Sequence, residues 1–287
     1  MKRRGLLFAT LLVTIALAGC ISQEGDYIAV TIEPQKYFAE KIAGGKFDIL
    51  PVVPAGQSPE VYDPTPRQML LLGKSRAYLQ IGHIGFEQAL LKNLRDNNPQ
   101  MKVFDMSEGF ELIADDDDGE SHGHQHPGGV DPHIWSCIGG ARAIAENTLK
   151  ALVAVDGSNE AFYRRNYAAL TAEIDRTEAL IRTKLSHLSK RAFIIYHPSL
   201  TYFADEFGLL QLCIETDGKE PSPAQLKTLV DEAKEHHAGV VFVQQEFDRK
   251  NAERIAEETS CRIVAVNPLN YEWSEELIAI ANALADE

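Results

Sequence analysis

The 287-residue chain is short of cysteine and of positive charge. Past its first twenty residues it also has no apolar run long enough to cross a bilayer as a helix. Each shortage removes a class of function. The four cysteines, Cys20, Cys137, Cys213 and Cys261, include no close pair, so the spacing of a cysteine-built zinc site is absent. Setting Cys20 aside leaves an odd three, and spacing does not decide whether any two are bridged. Lys and Arg number 28 against 42 Asp and Glu, a formal charge of −14. Such acidity repels phosphate backbones, which argues against DNA or RNA, and it suits a cationic ligand. Also missing are a His-Glu-x-x-His helix, a nucleophile elbow and a glycine loop that cradles phosphate. A zinc hydrolase would need a general base beside its metal, and none stands out.

What is present begins with an export signal. Lys2, Arg3 and Arg4 precede an almost unbroken apolar run from Leu6 to Ala18, closed by Gly19-Cys20. That layout predicts a signal peptide over 1–19. The small residues before Cys20 add lipid attachment to its sulfur, with residues 20–26 as a polar tether. The expected location is the cell envelope, facing the periplasm or the exterior, with the chain held to the membrane by lipid.

From Tyr27 the pattern alternates between short apolar runs and amphipathic segments. Tyr27 to Ile32, Ile49 to Val53, Ala77 to Ile81 and Val103 to Met106 read as strands, and Pro34 to Ala43, Thr65 to Leu72 and Phe86 to Leu94 as helices. Residues 113–130 break the pattern with Asp115 to Asp118, Glu120, His122, His124 and His126 among glycines, which predicts a mobile loop. Tyr163, Tyr167, Leu170, Ile174, Ile181, Leu185 and Leu188 then fall on one face of a long helix. Strands follow at Ala192 to Tyr196, Leu209 to Ile214, Val240 to Val243 and Arg262 to Val266. Helices fit Ser222 to Glu235, Lys250 to Glu258 and Ser274 to Leu284. The fold class is α/β, with two lobes, each a parallel-type sheet flanked by helices, joined by one long helix. The expected bounds are 27–158 for the N-terminal lobe, 159–189 for the connecting helix and 190–287 for the C-terminal lobe.

Two of the nine histidines sit where ligands gather. His133 follows Pro132, which fixes the backbone before it. His197 stands at the C-terminal end of a strand, the edge at which open α/β sheets bind ligands. His83 occupies a strand-to-helix turn and reads as structural. His187, His236 and His237 read as solvated helix-surface residues.

Taken together, several stretches resemble the metal-specific solute-binding proteins of ABC importers, of zinc and manganese type. Gly56-Gln57-Ser58-Pro59-Glu60-Val61-Tyr62-Asp63-Pro64-Thr65-Pro66 resembles that family's first ligand loop, Asp131-Pro132-His133-Ile134-Trp135 its second, and His197-Pro198-Ser199-Leu200-Thr201-Tyr202-Phe203 its third. Glu220-Pro221-Ser222-Pro223 and Phe242 to Phe247 fall where the family has similar stretches. The resemblance implies two lobes with the metal between them, a membrane permease as partner, and a monomer. Carried over by position, it implies His133 and His197 as metal ligands.

The chain departs from the family pattern twice. Glu60 stands where the first loop normally carries histidine, and Asn267 where many members have aspartate. A His-His-carboxylate set is an accepted zinc arrangement, although a carboxylate also suits manganese. The fourth position stays open between Asn267, Gln244, Glu246 and water. His122, His124 and His126 favour zinc and suggest a secondary capture site. The reading at this stage is a zinc carrier. The alternatives are a manganese carrier, an adhesin or interaction lipoprotein stabilised by metal, and a zinc hydrolase.

Overall fold

In the computed structural model the described residues are 26–115, 129–215 and 219–286. The leader, Cys20, Asp116 to Asp118, Glu120, His122, His124 and His126 lie outside them. The flanks of that acidic segment meet across the bridge Ala114–Val130.

The first lobe holds strands β1 (Tyr27–Val30), β2 (Asp48–Pro51), β3 (Ala77–Gln80) and β4 (Lys102–Asp105), all parallel, in the order β2-β1-β3-β4. Helices α1 (Glu33–Ala43), α2 (Pro66–Leu72) and α3 (Gly85–Asn97) connect them. Two helices follow, α4 (Ile138–Val155) and α5 (Glu160–Leu185). The second lobe repeats the plan with β5 (Ala192–Ile195), α6 (Thr201–Phe207), β6 (Leu210–Cys213), α7 (Pro223–Glu235), β7 (Val240–Gln244), α8 (Lys250–Thr259), β8 (Arg262–Val266) and α9 (Trp273–Ala285). Its strand order is β6-β5-β7-β8, again parallel.

The alternation of side chains along each strand explains the layering. Ile28, Val30, Ala77 and Leu79 enter one core, while Ala29 and Tyr78 point to the other face with Leu72, Leu90 and Leu94. In the second sheet Phe193, Ile195, Val240 and Phe242 join that same first core, and Ile194, Val241 and Val243 face α7 and α8. Both faces of both sheets are buried, as parallel sheets require. The inner faces share one continuous core with α1, α4, α5 and α9, represented by Phe38, Ile144, Ile174 and Ile280. The two lobes are fused through a common helical layer.

The expected two-lobe α/β architecture and its eight strands are observed. Two helices were not anticipated. Helix α4 begins with Gly139-Gly140, which reads as a helix breaker. Packing demands glycine there, because a Cβ on Gly140 would lie 1.8 Å from the Ile134 carbonyl oxygen. Helix α6 is only two turns and stops at Gly208, at φ 64°. Helix α5 ends earlier than the expected 159–189. At its end Ser186 Oγ donates to the Thr183 carbonyl (2.8 Å), a local bond that competes with continued helix.

Each sheet has its innermost pair, β1/β3 and β5/β7, flanked by connections that leave in opposite directions. That is a topological switch point, and ligands bind there outside the carboxyl ends of the strands. The segments after β2, β4, β5 and β7 carry the site.

Candidate metal centre

Glu60 is placed by its loop. Ser58 Oγ accepts from the Glu60 backbone N–H (3.3 Å), and Pro59 starts a single 3-10 turn over Pro59–Val61. The loop is pinned beyond it, where Tyr62 Oη donates to Gln68 Oε1 (2.9 Å) and Gln68 Nε2 donates to the Val52 carbonyl (3.0 Å).

His133 is held by the residue two before it. Asp131 Oδ1 accepts from the His133 backbone N–H and lies 2.8 Å from ring Nδ1. The carboxylate therefore favours the proton on Nδ1 and turns Nε2 towards the cleft. Tyr202 Oη donates to the Asp131 carbonyl (2.6 Å), and Ser136 Oγ to the His133 carbonyl (2.7 Å). Trp135 Nε1 reaches the Pro268 carbonyl (2.9 Å) and Trp273 Nε1 reaches the Trp135 carbonyl (2.7 Å), tying this segment to the second lobe. Burial works to lower the His133 pKa. The charge and hydrogen bond of Asp131, with Glu60 and Glu215 behind them, outweigh it and hold the pKa above the ordinary imidazole value. Burial likewise opposes the Asp131 charge, but His133 and further hydrogen bonds bring its pKa down to about 2.

His197 leaves the end of β5 and is clamped by Gln244 at the end of β7. Gln244 Nε2 donates to the His197 carbonyl (2.6 Å) and Oε1 accepts from its N–H (3.3 Å). Glu215 Oε2 lies 3.3 Å from His197 Nδ1, repeating the carboxylate–imidazole pairing of the other histidine. Phe247 stacks on the ring at 5.6 Å and 18°.

These elements bring three donors together. The His133 and His197 Nε2 atoms are 3.2 Å apart, and Glu60 Oε1 is 3.8 Å from the first and 4.0 Å from the second. Among the described residues they form the group of His, Cys, Asp and Glu whose donor atoms all lie within 4.8 Å of one another. Glu60 Oε1 is buried and has no hydrogen-bond partner among the described residues. Two imidazole nitrogens facing each other beside an orphaned carboxylate oxygen fit a divalent cation, which would accept all three.

Asn267 does not line the cavity between these donors. Its Oδ1 accepts from the Leu269 N–H (3.2 Å), and its own N–H donates to Glu276 (2.7 Å), so the side chain closes a turn after β8. Gln244 lines the cavity but spends both ends of its amide on His197 and Ser199. His187, His236 and His237 are exposed on the surface, and His83 does not line the cavity. Sequence reasoning gave Asp131 no role and overlooked Glu215. The available signal was a carboxylate just past the end of β6, at the ligand edge of the sheet.

A family profile described as "Zinc-uptake complex component A periplasmic" matches residues 28–284. The manganese ABC transporter substrate-binding lipoprotein PsaA of Streptococcus anginosus is 26% identical over 283 residues, covering 92% of this chain and 89% of PsaA. The high-affinity zinc uptake system protein ZnuA of Bacillus subtilis is 26% identical over 268 residues, covering 90% and 83%. A crystal structure of a zinc-bound ZnuA deletion mutant superposes with a TM-score of 0.83 at 35% identity, covering 91% of this chain and 97% of that one.

Proposed function

The chain belongs to the family of zinc-uptake complex component A, the metal-binding substrate-binding proteins of ABC importers, and on that premise we propose that its cargo is zinc, held by Glu60, His133 and His197. A protein of this family is a transport component, not an enzyme. It captures a metal ion outside the cytoplasm and works with a membrane permease.

The observation that carries the zinc reading is the pair of imidazole nitrogens 3.2 Å apart, each ring backed by its own carboxylate. Imidazole favours zinc over manganese, and a carboxylate behind each ring raises its basicity towards the ion. Relatives of similar identity are named for manganese and for zinc. Glu60 leans towards the harder ion, but the two histidines outweigh one carboxylate. On the same reading Cys20 carries the lipid anchor, the protein acts as a monomer, and His122, His124 and His126 pass zinc to the main site under scarcity.

The test is competitive titration with zinc and manganese of the chain from residue 21 onward, which contains every described element. Three forms are compared: wild type, His133→Ala with His197→Ala, and a deletion of 115–126. One tight zinc, lost in the double variant and kept in the deletion, is the expected result. Tight manganese with indifference to zinc would overturn the assignment. Unchanged zinc uptake by cells carrying the deletion, under zinc limitation, would remove the loop's role alone.

A further inference from the structure

Zinc held by protein normally takes four donors, and the cleft offers three within 4.8 Å. Two candidates for the fourth are already committed, Asn267 to the turn after β8 and Gln244 to His197 and Ser199. Besides Glu60, one carboxylate lines the same cavity. Glu246 Oε1 is buried and has no hydrogen-bond partner among the described residues, as is true of Glu60 Oε1 across the cleft. Building on the zinc reading, we infer that Glu246 is the fourth metal donor, turning in from the second lobe when the ion arrives.

Three features support this. The turn that carries Glu246 is anchored on both sides of the side chain, by Gln244 at the end of β7 and by Phe247. Phe247 stacks on His197 and also on Tyr196 (4.9 Å, 21°), and its N–H donates to the Gln244 carbonyl (3.3 Å). The backbone is thus fixed beside the cavity that Glu246 lines. Charge balance is the second feature. Two neutral imidazoles with two carboxylates cancel the charge of a divalent ion in a buried cavity. The third is symmetry of supply. Glu60 and His133 come from the first half of the chain, and His197 and Glu246 from the second, so the ion would bridge the lobes with two donors from each.

The experiment compares zinc affinity by chelator competition, the visible spectrum of the Co2+ form and the melting point of the metal-free protein, in the chain from residue 21 onward. The variants are Glu246→Gln and Asn267→Ala, with His133→Ala plus His197→Ala as the reference. The expected result for Glu246→Gln is a zinc affinity lower by at least about tenfold, a changed Co2+ spectrum and a metal-free melting point no lower than wild type. Wild-type affinity and spectrum in Glu246→Gln, or their loss in Asn267→Ala instead, would overturn the inference and leave the three-donor site standing. A metal-free melting point that falls in Glu246→Gln in step with affinity would also overturn it, by making the residue structural. Tight zinc retained without both histidines would sink the zinc site itself.

Discussion

At the scale of single residues, the site depends on carboxylates that face imidazoles from behind. Replacing Asp131 by Asn leaves the size of the side chain unchanged but removes the charge that orients His133. Zinc affinity should fall by about 10–100-fold, read by chelator competition, with the fold intact. The raised His133 pKa fixes the sign of two pH effects. Metal coordination needs the neutral ring, so zinc affinity falls as pH drops, and the fall starts at a higher pH than an ordinary imidazole would give. The metal-free protein behaves oppositely. The charged His133–Asp131 pair stabilises it fully below the ordinary imidazole pKa, and that contribution is lost as pH rises through the folded value. Asp131, brought down to about 2, adds stability above the ordinary carboxylate range that disappears only as pH falls towards 2. Zinc titrations and metal-free melting curves from mildly acidic to neutral pH check both signs. His133 and His197 could be picked out from the chain because each follows a recognisable backbone device, a proline or a strand end. Glu215 could not, since its partner is 18 residues away and meets it only once β5 and β6 pair.

At the scale of elements, α4 and α5 connect the site to the core. Gly140 lets α4 start directly against the turn Ile134–Ser136 that follows His133. A Gly140→Ala change forces that turn to move, and the overpacking should cost about 1–3 kcal/mol, seen as a lower melting point together with weaker zinc binding. In α5, Ile174 is 1% exposed within the common core. An Ile174→Ala variant should lose about 2–5 kcal/mol in denaturant unfolding while keeping its zinc affinity, because no ligand sits on that helix. The α5 stripe was readable because Tyr163, Tyr167, Leu170, Ile174, Ile181 and Leu185 keep helical spacing with no Gly or Pro between them. Helix α4 was hidden although Ile138, Ala141, Ile144, Ala145, Leu149 and Leu152 recur along one face, because Gly139-Gly140 in its first turn reads as a helix breaker.

At the scale of the whole molecule, the shared core argues against wide hinge closure. Phe38 of the first lobe and Trp273 of the second touch at 5.2 Å between ring centroids, and Tyr37 meets Tyr271 at 5.7 Å. Such a body should unfold in one cooperative calorimetric transition, and a resolved pair of transitions would contradict the fused core. Zinc at about 100 times its dissociation constant should add about 2.7 kcal/mol to that stability and raise the melting point accordingly. Scattering should find no resolvable change in radius of gyration on binding, with movement confined to ligand loops and side chains.

The chain by itself determined the alternation of strands and helices, the two lobes and the two histidines, because hydrophobic period, proline placement and strand ends are local properties. Tertiary structure alone decided which donors meet. Glu60, His133 and His197 are separated by tens of residues, and their convergence rests on two parallel sheets presenting their carboxyl edges to one cleft. The same folding closed Asn267 into its own turn and set Gln244 against His197, since the register of β7 and β8 and the turn after β8 fix where those amides can reach. A side chain's chemistry is written in the sequence, but its partner depends on distances that only packing sets.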